Sequence, residues 1–159
     1  MKNYKLIAVA MMAACAGAVQ AEPVTMTGGW VADFSPAMME TPQASTTVFQ
    51  FEGSYKLVAA KRDDLYLLTT CVGMETATKG SNGETTTTGS GRCELKDRNG
   101  DKLLAAMETA VDGFTLKVQG GTGKWAKASG KIVSKETFTV EGERQLKGYS
   151  NAKGELKLD

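Results

Sequence analysis

The chain has 159 residues, with 19 basic and 18 acidic side chains and no histidine. A balance so close to neutral argues against a nucleic-acid groove or an anionic-membrane surface, both of which need a basic excess. The missing imidazole excludes a Ser-His-Asp or Cys-His relay and removes the commonest zinc and haem ligand.

Residues 1–21 read as a secretory leader. Lys2 and Lys5 give a positive start, Leu6 to Val19 form an apolar run too short to span a bilayer, and Val19-Gln20-Ala21 offers the small-residue pattern of a peptidase site. Glu22 is then the mature N-terminus, and residues 22–159 have the length of one exported domain, periplasmic or secreted. A competing reading is lipidation at Cys15, since Met12-Ala13-Ala14-Cys15 resembles a lipobox with Met12 where Leu is usual. That alternative would place the protein on a membrane without changing its fold.

Pro23, Pro36 and Pro42 all fall early, so residues 24–45 are expected to form an irregular arm around one early strand at residues 30–34. From there apolar residues recur at period two, the mark of strands with one buried face. Phe49, Phe51, Tyr55, Leu57 and Ala59 share a phase with Gly53, and Leu65, Leu67 and Cys71 share the next. Residues 84–91, with four consecutive threonines, are either a mobile loop or a strand, and threonine tips the reading toward strand. Cys93 with Leu95, then Leu103, Ala105, Met107 and Val111, then Phe114, Leu116 and Val118 continue the pattern. Ile132, Phe138 and Val140 repeat it, and Leu156 with Leu158 closes the chain. Turn signals stand between these runs at Asn82-Gly83, Asn99-Gly100, Asp112-Gly113 and Lys153-Gly154, of which Asn99-Gly100 is the strongest. It makes residues 92–97 and 102–111 adjacent antiparallel strands.

About eight short strands with only three prolines give an all-β chain, either a closed antiparallel barrel or a sandwich, with the barrel favoured because closure removes edges. Once the leader is removed, Cys71 and Cys93 are the remaining cysteines, and export makes a disulfide their natural state, two buried free thiols being the alternative. A redox role is disfavoured because they do not form a Cys-x-x-Cys motif. No metal and no cofactor is expected: paired cysteines leave no thiolate to ligate a metal, and neither Asp63-Asp64 nor residues 97–101 follow calcium-loop spacing.

The segment Gly120-Gly121-Thr122-Gly123-Lys124-Trp125-Ala126-Lys127-Ala128-Ser129-Gly130 is not a phosphate loop, since Trp125 follows Lys124, and not a dinucleotide fingerprint, since Ala126 replaces the third glycine. Its structural reading is a tight glycine corner, with one short turn seating Trp125 in the core and Gly130 letting the chain resume as a strand. Gly121-Thr122-Gly123-Lys124-Trp125 with Ala128 and Gly130 resembles the Gly-Gly-Thr-Gly-x-aromatic-x-x-Ala-x-Gly segment of the dirigent and allene oxide cyclase-like barrel superfamily. The resemblance implies an eight-stranded antiparallel barrel, often trimeric, around an apolar central cavity. It implies nothing residue by residue beyond the glycine corner.

Site chemistry is then limited to carboxylates, arginine or tyrosine within a cavity. Glu136 shares the phase of Ile132, Phe138 and Val140, and Arg144 that of Leu146, so both are candidates to project inward as a buried pair. Against that stand a bulge at Gly142, which would turn Arg144 outward, and a strand edge that would leave Glu136 in water. Tyr55 and Tyr66 are further candidate hydrogen-bond donors to a ligand. The leading functional expectation is an exported barrel that holds a small apolar molecule and catalyses nothing. The alternatives are a cofactor-free cyclase or isomerase of the kind the resemblance permits, and an interaction module whose barrel is packed solid. The expected partners are a small apolar molecule and, by the resemblance, further copies of the chain.

Overall fold

The alternation read from the sequence is the alternation that folds. The computed structural model describes residues 20–158, so residues 1–19 of the expected leader, Cys15 among them, lie outside the described residues. Nine strands fill the described chain: β1 (Glu22–Phe34), β2 (Met39–Glu40), β3 (Ala44–Ala59), β4 (Leu65–Lys79), β5 (Thr85–Asp97), β6 (Lys102–Ala110), β7 (Gly113–Gly121), β8 (Ser129–Glu141) and β9 (Gln145–Lys157). All pairings are antiparallel between chain neighbours, except at β1, which pairs with both β9 and β3. That double pairing closes eight strands into a barrel, with the two-residue β2 an extra ribbon on β3. Among the described residues, closure leaves no long strand edge to recruit other chains.

Period two then sorts each strand into an inner and an outer face. One half of the interior is a packed core: Val24, Met26, Leu57, Leu67, Leu95, Leu103, Ile132 and Leu156 are buried, and Trp125 is 1% exposed among them. The glycine corner builds this end. A 3-10 turn over Gly123–Trp125 folds the indole inward, and a bulge between β6 and β7 falls at Gly120, whose φ of 103° only glycine adopts freely. The buried Asp97 braces the corner: its Oδ2 lies 2.6 Å from Lys124 Nζ, and its Oδ1 accepts the backbone N–H groups of Asn99 and Asp101. Burial pushes this carboxyl up, but the Lys124 hydrogen bond and charge and the two N–H groups outweigh it and hold Asp97 below the usual carboxylate range. Cys71 and Cys93 face each other across β4 and β5 and are joined by a disulfide.

Several expectations for the chain are corrected. Residues 24–45 are not an arm around a short strand: β1 runs for 13 residues from Glu22 and is the seam of the barrel. Pro23 is accommodated as its second residue, near the strand end where a missing N–H is tolerated. Lys153-Gly154 is no turn but lies inside β9, where Gly154 faces Ile132 so closely that a Cβ would meet Lys131 O at 2.0 Å. The β6–β7 hairpin turns on Val111-Asp112, one residue earlier than the Asp-Gly signal, with Gly113 opening β7. The threonine-rich segment is strand, forming the first part of β5.

The outer face is mainly polar, and its exposed large apolar side chains are most concentrated along β4. There Tyr66, Leu68, Val72 and Met74 all point outward and are each more than half exposed.

Candidate functional site

At the end of the barrel away from Trp125 the inward side chains do not meet, and a cavity of about 260 Å³ remains. The reading of a barrel packed solid is therefore corrected. Its walls are chiefly aromatic: Trp30 and Phe34 from β1, Phe49 and Phe51 from β3, Phe114 from β7 and Phe138 from β8. Phe51 sits at the centre of this lining, 5.2 Å from the Trp30 ring and 5.9 Å edge-on from Phe114. The cavity opens to solvent at a rim where Val111 is 59% and Phe138 46% exposed.

The indole of Trp30 can lie against the wall because the neighbouring strand carries glycine there. Gly148 of β9 pairs with Trp30, and a Cβ on it would meet Trp30 Cζ2 at 2.5 Å. The ring is thereby aimed at β8, where its Nε1–H donates to Glu136 Oε2 at 2.5 Å. Ser150 Oγ donates to the same oxygen at 2.7 Å, and Ser134 Oγ donates to Oε1. Beneath them the buried Tyr55 hydroxyl shares a 3.1 Å hydrogen bond with Ser150 Oγ. Three donors from three strands thus converge on one carboxyl in an otherwise oily interior.

Burial pushes the Glu136 carboxyl up, the hydrogen bonds from Ser134, Ser150 and Trp30 pull it down, and burial wins, so it stands above the usual carboxylate range. Tyr55 is raised well above an ordinary phenol, by burial first and by the charge of Glu136 second, against the Ser150 hydrogen bond. A second acid joins them. Glu75 of β4 also lines the cavity, and burial raises it against the opposing Thr109 hydroxyl. In the closed order of strands β4 and β8 are four apart among eight, so the two glutamates stand on opposite walls. Among the described residues no group of three or more Cys, Asp or Glu is arranged to hold a metal ion.

These two carboxyls have a consequence for stability. A carboxyl whose folded pKa lies above its unfolded value stabilises the fold fully below the unfolded pKa and loses that contribution as pH rises through the folded one. Replacing both by glutamine is therefore expected to raise stability relative to the natural chain at neutral pH, with the difference shrinking as the pH falls through the raised folded values and gone once it reaches the ordinary glutamate range. Urea unfolding across pH measures it, and a difference that grows on acidification would contradict the assignment.

Of the residues singled out from sequence, Glu136 and Tyr55 come together through Ser150. Tyr66 does not join them: it takes the opposite phase to Leu65 and Leu67 and is 64% exposed on the outer face. Arg144 does not pair with Glu136 either. It lies in the turn between β8 and β9 after Gly142, whose φ is 70°, and its exposed side chain stands in a surface dent with Asp33 and Glu143. Gly120, Gly121, Gly123, Trp125 and Gly130 belong to the closed end and not to the cavity. Sequence reasoning missed Glu75 and Trp30, although Glu75 shares the phase of Leu65, Leu67 and Cys71.

Fold and site define a closed antiparallel β-barrel with an apolar, acid-bearing cavity. No family model matches the chain, and no curated protein matches it. Among solved structures it is similar to the pterocarpan synthase dirigent protein GePTS1, at 12% identity and a TM-score of 0.48 over 98% of this chain and 100% of that one.

Proposed function

We propose that the protein binds a small, mainly apolar molecule in the open half of its barrel, in an oxidising compartment outside the cytoplasm. The observation that carries this reading is the cavity itself, whose aromatic walls hold a carboxyl fixed by Trp30, Ser134 and Ser150. Ligand sites are typically concave and apolar with a few placed polar groups, and the cavity of about 260 Å³ falls just short of their usual lower bound of about 300 Å³, so it suits a small ligand. The Cys71–Cys93 disulfide supports the compartment.

A neutral fluorescent probe tests it. N-phenylnaphthylamine is expected to brighten on titration with the natural chain, and Ala32→Trp, which fills the cavity from a buried position on β1, is expected to abolish the response while the barrel still folds by circular dichroism. No response in the natural chain, or an undiminished one in the filled variant, would count against a ligand in this cavity.

A further inference from the structure

The ionisable groups that reach the cavity are of one sign. Glu136 faces it from β8 and Glu75 from β4, with Tyr55 beneath, linked to Glu136 through Ser150, and among the described residues no lysine or arginine lines it. A carboxylate in such surroundings needs a partner of opposite charge or must hold its proton. The Glu136 hydrogen bonds come from neutral groups, which leave the charge itself uncompensated. The rest of the wall is the kind of surface that favours cations. Trp30, Phe51 and Phe138 cluster with ring centroids 5.2 Å and 6.4 Å from Trp30, and Phe114 adds its edge to Phe51. Aromatic faces attract organic cations through the ring quadrupole. A bare divalent metal is a poor fit, because it needs several oxygen ligands close together, whereas these two acids stand on opposite walls.

We propose that the ligand is an organic cation: an apolar molecule with an aryl or branched-alkyl body and a protonated amine, whose charge is met by Glu136 and Glu75 and whose body lies against the aromatic rings. This rests on the ligand-binding reading above and names the class of molecule it concerns. An amine supplies the countercharge that the protein leaves out, and its body replaces water against the rings. An anion of the same shape adds a third negative charge to the site, and a neutral alcohol gains nothing from the two acids beyond a hydrogen bond.

Displacement of bound N-phenylnaphthylamine separates these cases. Phenethylamine, phenethyl alcohol and phenylacetate share a ring and a short tail and differ chiefly in charge. The amine is expected to displace the probe at about tenfold lower concentration than the alcohol, and phenylacetate is expected to be the weakest. Glu136→Gln and Glu75→Gln, with folding checked by circular dichroism, should each bring the amine-to-alcohol ratio toward one. Lowering the pH until Glu75 and Glu136 are both protonated should do the same in the natural chain, with Tyr55 neutral throughout. If the alcohol or the carboxylate displaces the probe as well as the amine does, if the amine fails to displace it, or if neither glutamine variant changes the ratio, the charge assignment is overturned while ligand binding stands. If the probe itself does not bind, the failure lies with the ligand-binding reading.

Discussion

Trp125→Ala is expected to lower stability by about 3–5 kcal/mol, the usual cost of removing a large aromatic side chain from a packed interior. Trp125 is 1% exposed and belongs to the same buried cluster as Met26, Leu95, Leu103 and Leu156 at the closed end of the barrel. Little can collapse into the space, because the surrounding backbone is held by strand pairing and by a corner so tight that a Cβ on Gly121 would meet Lys102 O at 1.9 Å. The indole nitrogen is buried without a hydrogen-bond partner, so the side chain acts through volume and not through its N–H. Trp125→Phe should therefore cost only a fraction of the alanine change, since it keeps most of the ring and removes an unpaired donor. Urea unfolding of the two variants tests this. Equal losses would mean that the N–H matters, and a small loss for alanine would mean that the closed end is not a packed core.

The second large effect concerns the disulfide. Cys71 and Cys93 are 22 residues apart, and releasing that loop in the unfolded chain is expected to cost about 3 kcal/mol on the chain-entropy account. Both sit on the inner face and are buried, so a Cys71→Ala, Cys93→Ala double variant also loses some packing. The native pairing does not depend on the bond, because β4 and β5 are in register over 13 residue pairs, from Leu67↔Asp97 to Lys79↔Thr85. The double variant should therefore fold to the same barrel and unfold at lower denaturant. Urea unfolding with and without reductant measures it, and indifference of the natural chain to complete reduction would contradict the expectation.

Much of this fold is legible in the sequence, because a barrel strand with one buried face writes its orientation at every second residue. Phe49 to Ala59 and Phe114 to Val118 show it cleanly, and Asn99-Gly100 marks a hairpin whose Gly100 has a φ of 88°. The glycine corner is legible too, since the spacing of Gly120, Gly123 and Gly130 matches three positive φ values. Less legible is glycine used for closeness instead of turning. Gly148 and Gly154 lie inside β9 to make room for an indole and for a neighbouring strand, and no local pattern separates them from turn glycines. Pro23 misleads in the same way, because its cost depends on where the strand ends.

At the site, phase alone places Glu136 inward, but its partners are remote in sequence. Trp30 is 106 residues away, and only closure of β1 onto β9, which in turn pairs with β8, brings the indole to the carboxyl. Arg144 was the nearer candidate in sequence, and three turn residues between β8 and β9 are enough to take it out of phase. Glu75 follows the inner phase of β4, yet inward-facing Gly73 interrupts the apolar run before it, and a threonine-rich neighbourhood gives it the look of a solvated strand end.

The central claim is that a small molecule lodges in the open half of the barrel and nowhere else, and methyl-resolved NMR of the chain titrated with N-phenylnaphthylamine tests it most directly. The account predicts shifts at Ala32, Met107, Ala110 and Leu146, which line the cavity, with Leu95, Leu103 and Leu156 at the packed end unmoved. Shifts confined to Leu68, Val72 and Met74 on the outer face of β4, or no shifts at all, would contradict it.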